Sequence, residues 1–259
     1  MKTLAELEER RAHECRLTPD RALQTLDEAE EFLRDRGLLT RTTDSALPSL
    51  FEACHEEPYA RGSRGFGQWP ATKFPWFGQL GRLGARGLIL AIHRGKSLLV
   101  TDELAELLDP ICRAELLRME GEDESRARLL RHLADAGPSE LGDLQTELAL
   151  TPKELKSLRS PLERCGAVVA QSIVYEEPHR HTSLLARWDQ VRPTPSGASD
   201  PRQALADLLC AGVRAAVVAP ERELARWFSW RWYWDDSLLD ELLRTGRLAR
   251  VDGHVATPD

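Results

Sequence analysis

A helix, a closing glycine and a β-strand follow one another at three places along this chain of 259 residues. A recurring unit constrains a whole architecture more strongly than any single motif does, because each copy must bury its own apolar face against a neighbour. At roughly 100 to 200 residues per domain, the length permits one large domain or two to three small ones. We therefore expect a fold made of small repeated modules.

The central copy, in residues 121–190, shows the pattern most fully. Two leucine-rich helices are separated by a Gly-Pro pair at 137–138, and a third helix opens at 151–154 with the sequence TPKE. This sequence is a capping box with proline at the first helical position. Residues 167–175 and 182–188 are apolar and can pair as a hairpin. Three helices followed by a hairpin are typical of a winged helix.

The third helix of this copy predicts a DNA-binding surface. Lys153, Lys156 and Arg159 lie on the face away from its leucines, where a helix-turn-helix protein presents its recognition residues. Arg180 lies at the tip of the predicted hairpin and adds a fourth cation. Pro161 is expected to kink the helix or to shorten its last turn.

Two weaker copies flank the central one. In residues 1–57, Gly37 closes a helix with an acidic exposed face, and a strand is expected to begin at Leu38. An acidic face repels phosphate, so this copy is interpreted as structural or as the surface for a protein partner. In residues 191–259, Ser237 is expected to cap a helix before an Asp-Gly hairpin turn at 252–253.

The segment between the first two modules, residues 58–120, is basic and aromatic at its start. The net charge of the chain is −7, yet residues 58–101 hold seven basic residues and no carboxylate. Interleaved cations and aromatic rings suit a nucleic-acid groove, whereas the alternative is that the stretch packs on the protein's own acidic faces. The first interpretation assigns these residues to DNA binding: Arg61, Arg64, Lys73, His93, Arg94 and Lys96, the last two in a hairpin turn with Gly95.

A second aromatic cluster lies in the C-terminal module. Six of the eight residues from 227 to 234 are aromatic, and Arg226 and Arg231 lie among them. Large rings fill the interior of a small module efficiently, so core packing is the favoured interpretation. Stacking against DNA bases is the alternative.

Several other classes of function are not indicated. The five cysteines are widely spaced and form no CxxC pair, which predicts buried, reduced thiols and no metal site. Gly62, Gly65 and Gly67 match no phosphate-binding loop, so no cofactor is expected. No apolar run reaches the ~18 residues that a membrane span needs, and the N-terminus is charged where a signal peptide is apolar. We expect a cytoplasmic protein with no membrane partner.

A resemblance to a known family rests on the three helix, glycine and strand copies, the basic hairpin at 94–96, the sequence SLLARWD at 183–189 and the sequence LLRTGRLARVDGHVA at 242–256. In these features the chain resembles the AlkZ-type tandem winged-helix DNA glycosylases of bacteria. The resemblance implies three tandem winged-helix modules in a mainly α (α+β) chain, duplex DNA as the partner, and a role in the repair of alkylated or crosslinked bases. Members of that family rely on a Gln-x-Gln or Gln-x-Asp motif. No such motif occurs in this chain.

Three functions therefore stay open. The first is a DNA-binding repair protein without excision chemistry. The second is a monofunctional glycosylase with a divergent active site, for which the available polar groups are Gln68, Gln79 and Asp102. The third is a winged-helix module that binds another protein through its acidic surface.

Overall fold

The strands of the computed structural model, which describes residues 2–82, 87–175, 180–197 and 200–258, form three antiparallel sheets of three strands each. Each sheet belongs to a unit with one element order: a helix, a short strand, two helices and a two-stranded hairpin. In every unit the short strand pairs with the last strand of the hairpin. The α+β class expected from the sequence is confirmed.

The N-terminal unit brings together two segments that the sequence analysis treated separately. Its elements are α2 (Leu26–Arg36), β1 (Leu38–Thr40), α3 (Leu50–Ala53), α4 (Trp76–Leu80), β2 (Gly87–His93) and β3 (Lys96–Thr101), preceded by α1 (Leu4–Glu14) and a 3-10 helix (Pro19–Arg21). The strand expected to begin at Leu38 is confirmed. Leu38 pairs with Val100, so β1 is the first strand of the sheet, and the hairpin consists of β2 and β3. Segments 1–57 and 58–120 thus share one sheet.

The central unit follows the element order expected from its sequence. It consists of α6 (Glu124–Ala136), β4 (Ser139–Glu140), α7 (Leu141–Glu147), α8 (Pro152–Arg164), β5 (Val168–Tyr175), β6 (Arg180–Arg187) and α9 (Trp188–Val191). Thr151 and Glu154 form the expected capping box. Helix α8 continues past Pro161 to Arg164, because the Cys165 N–H still bonds to the carbonyl of Pro161 at 3.1 Å.

The C-terminal unit has the hairpin expected at its end. It consists of α10 (Pro201–Ala216), β7 (Val218–Pro220), a 3-10 helix (Glu221–Arg226), α11 (Asp236–Arg244), β8 (Ala249–Val251) and β9 (His254–Ala256). Asp252 and Gly253 both have positive φ, 46° and 74°, as a tight hairpin turn requires. Ser237 does not cap α11; the cap residue is Asp235, and Ser237 lies in the first turn.

One long helix joins the units into a common core. Helix α5 (Asp102–Glu122) connects the N-terminal and central units and packs against α10 of the C-terminal unit. The largest cluster of buried side chains draws on all three units and includes Ile92, Trp188, Trp227 and Trp230. Burial of rings and branched chains across these junctions stabilises the relative placement of the units. Within the described part of the chain, no helix has both the length and the apolar composition needed to cross a membrane.

Candidate nucleic-acid interface

Five arginines surround a pocket of about 860 Å³ where the three units meet, and we refer to it as the arginine pocket. The N-terminal unit contributes the turn of its hairpin, the central unit contributes the end of α8, the C-terminal unit contributes residues 226–232, and α5 contributes its last turns. The described lining includes no carboxylate. The arginines are Arg94, Arg118, Arg164, Arg226 and Arg231.

Arg94 and Arg164 lie close to each other at the hairpin turn of the N-terminal unit. Arg94 donates to the carbonyl oxygens of Arg226, at 3.0 Å, and Asp44, at 2.7 Å. Both acceptors are uncharged carbonyl groups, so neither contact offsets the charge of Arg94. Gly95 has a φ of 73°, and a Cβ atom there would lie 3.1 Å from Nε of Arg164. Glycine at this position therefore suits both the left-handed turn and the close approach of Arg164.

Buried aromatic rings hold the C-terminal side of the pocket in place. Trp227, Phe228 and Trp230 are each less than 5% exposed, which confirms core packing for this part of the aromatic cluster. The indole N–H of Trp230 donates to the Cys165 carbonyl at 2.9 Å. Ser229 donates its backbone N–H and its hydroxyl to the carbonyl of Ile92. Anchored in this way, the segment presents Arg226 and Arg231 to the pocket.

A buried carboxylate organises the edge of the pocket formed by α5. Glu115 is fully buried and accepts hydrogen bonds from Trp232 Nε1 and Tyr233 Oη, both at 2.9 Å, and from Arg118 at 2.5 Å. Burial and the hydrogen bond to Glu115 raise the pKa of Tyr233 to about 12. The hydrogen bond to Glu115 also raises the pKa of Arg118. Arg118 also pairs with Glu122, so two carboxylates offset its charge.

The other arginines leave the pocket positively charged. Arg164, Arg226 and Arg231 are exposed, and none of them has an ion pair or a side-chain hydrogen bond within the described residues. Unpaired guanidinium groups around a concave surface attract anions, and their planar donors match phosphate oxygens. The arginine pocket is therefore a candidate site for a polyanion.

The basic face of α8 runs into this pocket. Lys153 and Lys156 are exposed and likewise have no ion-pair partner among the residues described. At 100° per residue, Arg164 lies within about 80° of both lysines around the helix, opposite the buried Leu155 and Leu162. Arg159 lies off this face and pairs with Glu163.

Several cations of the acid-free stretch form ion pairs with carboxylates that precede it in the sequence. Glu57 pairs with Arg61 at 2.7 Å, and Asp44 pairs with His93 at 2.8 Å and Lys96 at 2.7 Å. The assignment of His93 to DNA contact is wrong, because its side chain is fully buried against Asp44. Arg61 and Lys96 stay exposed beside their partners. These pairs support the alternative that the stretch packs on the protein's own acidic groups.

The ion cluster at Asp44 makes folding stability depend on pH. Burial alone would raise the pKa of Asp44, but hydrogen bonds from His93 and Lys96 outweigh it and hold the pKa at about 2. A folded pKa below the unfolded value stabilises the fold above the unfolded pKa, near 3.8, and this contribution is lost as the pH falls towards 2.

We expect Asp44→Asn to lower the free energy of unfolding at pH 7 by about 1 to 2 kcal/mol. Urea unfolding at pH 7, 5 and 3 measures it. The gap between the natural chain and the variant should narrow from pH 5 to pH 3, where Asp44 in the unfolded chain is largely protonated. A gap of the same size at all three pH values would show that the carboxylate charge does not contribute.

Two further predicted DNA-binding residues, Lys73 and Arg64, lie outside the arginine pocket. Lys73 donates from Nζ to the carbonyl of Leu23 at 2.6 Å. Arg64 is exposed in the segment between α3 and α4, which also contains the exposed rings of Tyr59 and Phe66. Arg180 begins β6, and its side chain lies outside the described part of the structure. The assignments of Arg64 and Arg180 stay predictions.

The three candidate catalytic residues lie on three different elements. Gln68 donates to the carbonyl of Ser63 at 3.0 Å in an exposed 3-10 helix (Gly65–Gln68). Gln79 is partly buried in α4, and Asp102 begins α5, where it pairs with Arg192 at 3.3 Å. None of them lines the arginine pocket. The lining thiol, Cys165, has its pKa raised to about 12 by burial, which leaves no thiolate at neutral pH.

Two lining residues, Arg118 and Arg164, were missed in the sequence analysis. Arg164 follows Lys153 by eleven residues, which is three helical turns, so extending the basic face along α8 would have found it. No pattern in the sequence predicts that Arg118 lines the pocket, because its position there depends on the contact of α5 with residues 226–232. The cysteines lie as expected: all five are free and buried. Within the described residues, no three His, Cys, Asp or Glu side chains are grouped to hold a metal.

Comparison with known proteins identifies the architecture. The structure superposes on the Streptomyces sahachiroi DNA glycosylase AlkZ with a TM-score of 0.58, over 98% of this chain and 69% of that one. The fold is AlkZ-like. Sequence identity is 13%, so the match shows a shared fold and transfers no residue role. No protein-family model and no curated protein matches the sequence.

Proposed function

We propose that this protein binds duplex DNA in the arginine pocket and along the basic face of α8, as part of DNA repair. The observation that carries the proposal is the convergence of Arg164, Arg226 and Arg231, all exposed and unpaired within the described residues, on one concave surface between three units. A chain with a net charge of −7 concentrates unpaired positive charge here. Such a local field attracts a polyanion and orients it.

We propose further that each unit is a winged helix. One element order recurs in residues 26–101, 124–187 and 201–256: helix, strand, helix, helix and hairpin, with the first strand paired to the last. We propose these three ranges as the modules, in place of the four segments expected from the sequence. Helix α8 then takes the place of a recognition helix, with Lys153 and Lys156 on its free face. The hairpin of the N-terminal unit acts as a wing whose tip, Arg94 and Gly95, reaches the same pocket.

Phosphate contact explains the choice of side chains in the pocket. Arginine donates two parallel hydrogen bonds to a phosphate group and stays charged at every physiological pH. Helix α8 spans about 17 Å from Lys153 to Arg164, at 1.5 Å per residue, which is the length of several successive phosphates along one strand. The row of cations on this face can therefore follow a DNA backbone into the pocket.

The repair context rests on the AlkZ-like fold, since the similar structure is that of a DNA glycosylase. Base excision needs a carboxylate or an amide to place water or to stabilise the sugar cation. The described pocket lining supplies neither, and Gln68, Gln79 and Asp102 lie elsewhere. We therefore propose binding without excision. Release of alkylated bases from duplex DNA, seen as alkali-labile sites, would instead assign the protein to the glycosylases.

The double variant Arg164→Glu/Arg231→Glu should bind a ~20 bp duplex at least about tenfold more weakly than the natural chain at low salt, because each reversal replaces a phosphate attraction with a repulsion. Fluorescence anisotropy with a labelled duplex measures the affinity. The matched control is Arg34→Glu/Arg222→Glu, which makes the same change of charge at exposed arginines outside the pocket.

The thermal midpoints of both variants should lie close to that of the natural chain. Neither Arg164 nor Arg231 has an ion pair to lose in the described residues, and exposed substitutions of this kind cost little. Equal loss of affinity in the two double variants would mean that only total charge matters. That result would remove the pocket from the proposal.

A further inference from the structure

We propose that the arginine pocket holds an unstacked nucleobase on the indole of Trp232, so that the preferred DNA carries an unpaired or extruded nucleotide. This inference rests on the proposed function, since it names the form of DNA that the same pocket takes. It starts from a contrast within the C-terminal aromatic cluster. Trp227 and Trp230 are almost fully buried, whereas Trp232 is 53% exposed and lines the pocket.

The exposed indole is held in one orientation by polar contacts. Its N–H donates to Glu115, which is fully buried, and the guanidinium of Arg118 lies 4.8 Å from the ring centroid. Tyr233 binds the same carboxylate oxygen as Trp232. An aromatic ring fixed in advance loses little conformational freedom when a ligand stacks on it, so the ring is ready to bind before DNA arrives.

The surroundings of Trp232 match a nucleotide rather than a purely apolar ligand. Arg164, Arg226 and Arg231 line the same pocket and can contact the phosphates on either side of a base. The cavity of about 860 Å³ lies in the size range of sites that take ligands larger than one nucleobase. A flat ring among unpaired cations is the arrangement that binds single-stranded nucleic acid, through base stacking and phosphate contacts together.

A base in an intact duplex cannot reach this ring, because both of its faces are covered by neighbouring base pairs. Extrusion costs stacking and pairing energy, and the cost is smallest for a mismatched, damaged or bulged nucleotide. A pocket that stacks one base therefore favours DNA in which a nucleotide is already unpaired or unstacked. Lesion recognition by this route needs no catalytic group, in agreement with the lining.

The experiment compares two labelled ~20 bp duplexes, one fully paired and one with a single-nucleotide bulge of 2-aminopurine. With the natural chain, we expect about tenfold tighter binding of the bulged duplex, since stacking of one base on an aromatic side chain contributes a factor of roughly 5 to 150. Binding should also quench the 2-aminopurine fluorescence, because the base stacks on an indole.

Three variants assign the effect to Trp232. In Trp232→Ala, the ratio of the two affinities should fall to about one, and the quenching should disappear. Trp232→Phe keeps an aromatic face and should keep most of the ratio. Tyr59→Ala removes another exposed ring, 61% exposed and outside the pocket, and should leave the ratio unchanged.

The outcomes separate this inference from the proposed function. Salt-dependent binding of the paired duplex without preference for the bulge overturns the stacking proposal and leaves DNA binding in place. An undiminished preference in Trp232→Ala also overturns it. Failure to bind either duplex at low salt overturns both proposals together.

Discussion

Replacement of Glu115 by alanine should lower the free energy of unfolding by about 3 kcal/mol. Glu115 is fully buried and accepts hydrogen bonds from Arg118, Trp232 and Tyr233. Its removal leaves the guanidinium of Arg118 and two further donors without their buried acceptor. Removal of a fully buried charged acceptor is costly because three donors lose their hydrogen-bond partner at once.

Urea unfolding of Glu115→Ala measures this effect, and Glu122→Ala is the matched control. Glu122 pairs with the same arginine but has a side chain that is 44% exposed. An exposed ion pair contributes about 0 to 1 kcal/mol, so the control should unfold at nearly the natural urea concentration. If the two variants were equally stable, Glu115 would not be the group that organises this edge of the pocket.

Replacement of Trp230 by alanine should cost about 3 to 5 kcal/mol, the range for removal of a buried aromatic side chain. Trp230 is 1% exposed and donates to the Cys165 carbonyl at the end of α8, so it joins the C-terminal unit to the central unit. The variant should therefore unfold at a lower temperature and should also bind DNA more weakly, because Arg231 loses its fixed position beside Arg164.

Trp232→Ala provides the comparison for this stability effect. Trp232 is two residues away and half exposed, so its replacement should lower the free energy of unfolding by about 1 kcal/mol or less. Similar costs for the two tryptophans would contradict the packing of residues 226–230 against α8. A large difference would support the division of the aromatic cluster into core rings and one pocket ring.

Local features of the fold could be predicted because they depend on neighbours in sequence. The capping box at Thr151, the glycine that closes α2 and the Asp-Gly turn at 252–253 each act over a few residues. The pairing of Leu38 with Val100 could not be predicted from neighbouring residues, because the two positions are far apart in the sequence. A short apolar strand next to a glycine is compatible with many partners, and the choice among them is made by tertiary packing.

The candidate site was less predictable than the fold for the same reason. Its arginines come from positions 94 to 231 and meet only because α5, α8 and residues 226–232 pack together. Charge counting found the acid-free stretch but not Asp44, which contacts both His93 and Lys96 from outside it. Periodicity along α8 did place Lys153 and Lys156 correctly on its exposed face, since a helix converts spacing directly into direction.

The salt dependence of duplex DNA binding by the natural chain tests the central claim most directly. Lys153, Lys156, Arg164, Arg226 and Arg231 are unpaired within the described residues, and each phosphate that they contact releases counterions. A plot of the logarithm of the association constant against the logarithm of the salt concentration should have a slope of about −3 to −5. No binding at 50 mM salt, or an affinity that does not change with salt, would contradict the account.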